Sequence, residues 1–305
     1  MPMQGKERTF KESAGAAAGR AASPGIEPAL YVVATPLGNL SDISLRALNV
    51  LSRVDVIAAE DTRVTGILLA RHHIGTKMLS LHEHNERARV DEIAALLAAG
   101  RSVALVSDAG TPGVSDPGAV VVDAMARAGH KVVPVPGPSA VATALSVSGL
   151  AASEWLFCGF LPAKAAARRR VLERLAAYPC ALVFYEAPHR IAASLVALAE
   201  ALGGERRVVI ARELTKRFES IHRCRLAEAE EWLEANPDRL RGEFVLVVDA
   251  PSAPTARRDG SVDAHDAALE SLLAELPLAQ AVRLAAAITG APRNLLYRRA
   301  LQLKR

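Results

Sequence analysis

The chain has 305 residues, half of them hydrophobic and 23% charged, with 37 Lys and Arg against 33 Asp and Glu for a net charge of +4. That balance excludes a disordered or fibrous polypeptide, no apolar run reaches the roughly 20 residues of a membrane span, and the weak positive charge suits a polyanionic partner without requiring one. The length predicts two domains of about 100 to 200 residues plus an appendage, and three widely spaced cysteines without CxxC spacing indicate neither a disulfide framework nor a zinc site.

Residues 1–27, rich in Ala and Gly and without an apolar signal core, read as a disordered leader, so a soluble cytoplasmic chain with no membrane contact is expected. From Pro28, short β-branched runs alternate with Ala/Leu-rich amphipathic stretches. Leu30 to Ala34, Val54 to Ala59, Ser102 to Ser107 and Lys131 to Val135 read as strands; Ile43 to Leu51, Glu86 to Ala99, Ala119 to Ala128 and Ser139 to Ser148 read as helices. The alternation predicts an N-terminal parallel α/β domain over 28–150.

A second α/β domain is expected over 151–250. Its strands are Trp155 to Gly159, Cys180 to Tyr185, Arg207 to Ala211 and Phe244 to Asp249, and its helices are Ala166 to Ala177, Ile191 to Leu202 and Ala227 to Ala235. A Pro/Ser/Arg-rich linker over 251–262 then leads to a helical piece over 263–305. There Leu278 to Thr289, a turn at Gly290 to Asn294 and Leu295 to Leu303 read helix, turn, helix, with Arg293, Arg298, Arg299, Lys304 and Arg305 exposed.

Ligands of open α/β sheets bind beyond the carboxyl ends of the strands, where three unusual loops fall. The first, Thr35-Pro36-Leu37-Gly38-Asn39-Leu40, is by itself compatible with a plain strand-to-helix turn. The second, Ser107 to Gly118, packs three glycines, two prolines and two aspartates, far more than a simple connection needs. The third, Val133-Pro134-Val135-Pro136-Gly137-Pro138-Ser139-Ala140, makes a rigid wall with Ser139 as a helix cap. No GxGxxG opens a helix and no Gly-Lys-Ser/Thr follows a loop, so a donor without phosphates fits better than a nucleotide.

These three loops, together with Ala59-Glu60-Asp61-Thr62-Arg63, Gly159-Phe160-Leu161-Pro162, Phe184 to Arg190, Ala211 to Lys216 and Gly242-Glu243-Phe244-Val245, resemble the tetrapyrrole methylase superfamily and, within it, the ribosomal RNA branch. The resemblance runs from about Leu30 to Asp249 and into the tail. It implies a two-domain class III S-adenosylmethionine methyltransferase fold with a C-terminal helix-turn-helix-like extension, a homodimer, and methyl transfer to a cytidine 2′-oxygen in the 16S RNA of the small ribosomal subunit. The positions it implies for S-adenosylmethionine are Pro36, Leu37 and Gly38; Asp108, Ala109, Gly110 and Val114; Ser139 and Ala140; and, from the second domain, Phe160, Leu214 and Glu243. Tetrapyrrole-modifying members carry Gly-Asp-Pro in the second loop, whereas here Asp108 precedes Ala109-Gly110, which favours RNA. Methylation of a tetrapyrrole or other small acceptor, and a catalytically silent RNA-binding factor, are the competing readings.

A ribose hydroxyl is a weak nucleophile, so a base or a cation near the developing alkoxide is expected; Glu60, Asp61, Arg63, Glu186 and Arg190 are the candidates. Glu60, Asp61 and the His82 to Glu86 stretch are expected on the cleft rim, with no metal site. Lys164, Arg168, Arg169, Arg170 and Arg174 read as a basic helix, either solvated or gripping RNA phosphates.

Overall fold

The computed structural model describes residues 26–151, 153–251, 266–289 and 291–303. The expected leader, apart from Ile26 and Glu27, and the expected linker beyond Pro251 lie outside the described residues, as do Gly290, Lys304 and Arg305 of the tail.

Five parallel strands form the first sheet: β1 (Leu30–Val33), β2 (Val56–Ala59), β3 (Lys77–Ser80), β4 (Val103–Val106) and β5 (Val132–Val135), in the order β3-β2-β4-β1-β5. Helices α1 (Leu45–Arg53) and α2 (Thr62–Arg71) cover one face, and α3 (Glu86–Ala98) and α4 (Ala119–Arg127) the other. Neighbouring strand residues serve opposite cores: Tyr31, Val33 and Ile57 pack with Leu51 and Leu68, while Leu30, Ala58 and Leu105 pack with Ile93 and Met125. A sheet covered on both sides needs continuous apolar strands, which is why these runs carry no polar alternation. Pro134 is tolerated because β5 is an edge strand, where a missing amide costs no ladder bond. The Lys77 to Leu81 stretch, apolar in sequence, is the opposite edge strand β3, and α2 completes the unit between β2 and β3.

The second sheet is mixed: β6 (Trp155–Phe160), β7 (Ala181–Glu186), β8 (Arg207–Arg212), β9 (Ser220–Arg225) and β10 (Phe244–Val248) run in the order β6-β7-β10-β8-β9. Only β6 and β7 are parallel. Strand β9, Ser-Ile-His-Arg-Cys-Arg, escapes a search for apolar runs because an edge strand faces water. One face of this sheet packs on α6 (Ala165–Leu175), α7 (Ile191–Leu202) and α8 (Leu226–Glu234) through Leu172, Leu195, Leu198 and Leu233. The other receives α5 (Ala140–Ser148), whose Val141 and Ala144 bury against Val183, Val209, Ala211 and Val245. Helix α5 leaves the first sheet but packs on the second, so the two sheets share a wall.

Three helices form the tail, α9 (Asp266–Glu275), α10 (Leu278–Thr289) and α11 (Arg293–Leu303), around Leu269, Val282, Ala285, Leu296 and Ala300. Arg299, expected exposed, instead bridges Asp266 at 2.5 Å and ties α11 to α9. No helix among the described residues is long and apolar enough to cross a membrane.

Candidate active site

The three Pro/Gly loops are stitched to one another by backbone. Thr35 and Gly110 exchange both amide bonds, at 2.8 and 3.0 Å, and the Thr35 hydroxyl donates to Ser107 O at 2.9 Å. Gly110 reaches this pairing at φ +78°, a left-handed conformation costly for a residue with a Cβ. The third loop closes from the side: the Thr111 hydroxyl donates to Pro138 O at 3.2 Å, and a Cβ at Gly137 would lie 3.0 Å from the Ala34 Cβ. Ser139 caps α5 by accepting from the Ala142 amide.

Between these loops and the second sheet lies a cleft of about 310 Å³. Leu37, Ala109, Gly110, Val114, Ser139, Ala140, Phe160, Leu214 and Glu243, all positions expected to hold the donor, line it, and so does Glu186. Pro36, Gly38 and Asp108 stand outside the lining, as do Glu60, Asp61, Arg63 and Arg190. Gly38 is packed so closely on Lys216 that a Cβ there would meet its Cγ at 2.3 Å. Ser115, Asp116, Tyr185, Phe244 and Val245, none of them singled out as a site residue from sequence, are also in the lining. Asp116 was visible as the second aspartate of an overloaded loop, and Tyr185 only as a member of the Phe184 to Arg190 stretch.

The far wall is made of side chains. Tyr185 packs edge-on against Phe157 and Phe160, at centroid distances of 4.9 and 5.7 Å. Behind it the Glu186 carboxylate has a fully buried side chain and every partner it needs: the Ala187 amide at 2.9 Å, the Ser194 hydroxyl at 2.5 Å and the Arg190 guanidinium at 3.2 Å. Arg190 also donates to Leu161 O. Lys216 bridges Glu213 at 2.9 Å and Glu243 at 2.8 Å, while Thr215 accepts from the Asn39 amide at 3.2 Å, which clasps the first loop to the second sheet.

Carboxylates crowd the strand ends. The Asp108 amide donates to Glu60 at 3.2 Å and the Asp61 amide to Asp108 at 2.9 Å. Burial raises the carboxyls of Glu60 and Asp108 above their ordinary range, and burial with the nearby Glu60 charge pushes Asp116 up to about 7. Asp61 behaves oppositely, held down to about 2 by hydrogen bonds from the Arg63 side chain and amide. Burial, and then the Asp116 charge, raises the Tyr185 phenol. Among the described residues no Lys or Arg lines the cleft.

One rim expectation and one for the basic helix change. Glu86 is buried and accepts the amides of Gly118, Val120 and Val121, capping α4 and anchoring the end of the second loop. On α6, Arg168 is buried and donates to Ala163 O at 3.3 Å, so Lys164 and Arg168 do not form one exposed face; Arg169, Arg170 and Arg174 are exposed, with Arg169 paired to Glu173. Among the described residues no cluster of three His, Cys, Asp or Glu is placed to hold a metal.

The family profile for Tetrapyrrole (Corrin/Porphyrin) Methylases matches residues 29–230, and that for the RsmI C-terminal HTH domain matches 259–304. The ribosomal RNA small subunit methyltransferase I of Pseudomonas aeruginosa is 49% identical over 90% of this chain and 96% of its own, and that of Vibrio cholerae is 49% identical over 92% and 96%. The solved uroporphyrin-III C-methyltransferase of Thermus thermophilus shares the fold with a TM-score of 0.54 at 22% identity, covering 72% of this chain and 93% of its own. The chain therefore belongs to the tetrapyrrole methylase family and, within it, to the ribosomal RNA small subunit methyltransferase I group.

Proposed function

We propose that the chain transfers the methyl group of S-adenosylmethionine to the 2′-oxygen of a cytidine in 16S ribosomal RNA. The observation that carries the donor is the cleft lining: backbone, small residues and aromatic rings with carboxylates nearby and no cation. Such a site rejects polyphosphates and suits a ligand that is itself a cation. The acceptor class rests on the relatives' names, at 49% identity over nine-tenths of the chain.

Bound there, S-adenosylmethionine supplies an electrophilic methyl carbon. Leu37, Ala109, Gly110, Val114, Ser139 and Ala140 form the donor's bed, backed by Pro36, Gly38 and Asp108, and Phe160, Leu214 and Glu243 cover it from the second sheet. Glu186 and Arg190 hold the Tyr185 to Pro188 segment in place instead of touching the reacting atoms. Glu60, Asp61 and Arg63 shape the field at the strand ends. Alignment of acceptor oxygen with methyl carbon is the protein's main contribution, and positioning of this kind supplies about 7 to 11 kcal/mol.

Exposed Arg169, Arg170 and Arg174 on α6, and Arg283, Arg293 and Arg298 on the tail, offer phosphate contacts that set orientation without reading sequence. A homodimer acting in the cytoplasm completes the reading; exposed Val64, Ile67 and Met78 at the β3 edge supply an apolar surface for it. Mass mapping of ribosomal RNA from cells with and without the gene tests the proposal. One cytidine losing a ribose methyl on deletion is the expected result; unchanged ribosomal RNA overturns it.

A further inference from the structure

We infer that Asp116 takes the proton from the acceptor hydroxyl, making it a catalytic residue of the methyl transfer. This rests on the reading above and adds to it the group that acts as base.

Three carboxylates line the cleft, and two are already engaged. Glu186 is closed off by the Ala187 amide, the Ser194 hydroxyl and Arg190, with no exposed side-chain surface. Glu243 is paired with Lys216 at 2.8 Å and its side chain is 77% exposed. Asp116 sits among like charges: Glu60 at the end of β2, Asp108 at the end of β4 and Glu243 ahead of β10 all act on it, its own charge acts on Tyr185 of β7, Ser107 lies beside it, and among the described residues no Lys or Arg lines the cleft. Of these, Ser107 favours its charged form.

The loop is built to hold Asp116 still. Ser115, its neighbour, takes φ +65°, and its hydroxyl oxygen lies where a Cβ on Gly159 would be 3.5 Å away, so the loop tip meets β6. The Gly113 amide donates to Pro117 O at 3.3 Å, and buried Glu86 clamps Gly118 at 2.9 Å. A Cβ at Gly118 would strike the Leu105 Cδ2 at 2.9 Å, so the turn cannot be built with a larger residue. A left-handed serine, a clamped glycine and a buried carboxylate capping from another helix are costly for a plain connection. They are reasonable for a loop that must hold one carboxyl in the cleft that Tyr185 also lines.

The ribose 2′-oxygen bonds to the methyl carbon as the carbon–sulfur bond breaks, its electron pair staying on sulfur. The hydroxyl proton passes to an Asp116 carboxylate oxygen and then to water. A carboxyl that burial and like charges push up to about 7 is roughly half ionised at neutral pH and ionised above it, yet basic enough to accept that proton.

The test compares wild type with Asp116→Asn and Asp116→Glu on small-subunit particles lacking the modification. Wild-type kcat should rise with pH through about 7 and level off above it, since the base works only when deprotonated. Asp116→Asn should lose about 100-fold or more in kcat and the pH limb with it, while its calorimetric Kd for S-adenosylmethionine stays within about threefold of wild type. Asp116→Glu should recover part of the rate with a displaced limb. In carboxyl-labelled protein without donor, carbon NMR should show one aspartate titrating near 7 that vanishes in Asp116→Asn. Wild-type rate and pH profile in Asp116→Asn overturn the inference and leave the methyltransferase reading standing, as does a Kd loss that accounts for the whole fall in rate. A wild type that transfers no methyl takes down both.

Discussion

The wall of the cleft contributed by the first sheet is mainly backbone: Thr35 pairs with Gly110, Pro138 O receives Thr111, and small residues face the ligand space. The wall from the second sheet is mainly side chains, an aromatic cluster around Tyr185 backed by the Glu186 network and closed by the Lys216 clasp. The paired Thr35 and Gly110 amides do not depend on residue identity, so apart from the Thr35 and Thr111 hydroxyl bonds this wall fails where a side chain is added to a glycine. A side-chain wall fails by truncation, since each buried partner left behind pays its desolvation unpaired.

The contrast can be broken by substitution on either side. Glu186→Ala strands the Ser194 hydroxyl, the Ala187 amide and Arg190 together. Unfolding by denaturant should show a loss of about 3 kcal/mol; a loss under about 1 kcal/mol would mean that the side-chain wall is not locked by this carboxylate. Gly110→Val puts a branched side chain at φ +78° with its Cβ 3.4 Å from Leu37 and its methyls toward the cleft. Calorimetry should find S-adenosylmethionine bound about 100-fold more weakly, roughly 2.7 kcal/mol. Lys216→Ala opens the clasp and removes the side chain packed on Gly38 behind the bed, and a Kd about tenfold weaker is expected; an unchanged Kd would show that the cleft closes without it. The smallest effect belongs to the exposed surface: Arg169→Ala should lower the salt dependence of RNA binding by about one released ion, with the same donor affinity. An unchanged slope removes α6 from the RNA-facing surface.

The same division governs how much the sequence discloses. Backbone devices announce themselves locally, because glycine, proline and aspartate are the residues that turns and close approaches demand; all three loops were legible as single stretches. Side-chain devices depend on what arrives from elsewhere. Asp116 sits in a loop flagged at once, yet its significance needs Glu60 from β2, Glu243 from the β10 approach and Tyr185 from β7. Arg168 and Arg299 look like surface charges in a basic run and are instead a buried arginine under α6 and a strut between α9 and α11. Strand β9 fails for a third reason, being a polar edge strand that neither apolar content nor a strong turn signal marks out.

The central claim is that the two walls together form a seat for S-adenosylmethionine. Titration calorimetry of the full chain with that donor tests it most directly. The account predicts one site per chain with a micromolar Kd, and ATP failing to compete because no Lys or Arg among the described residues lines the cleft. No saturable heat short of millimolar donor, or displacement by ATP, would contradict it.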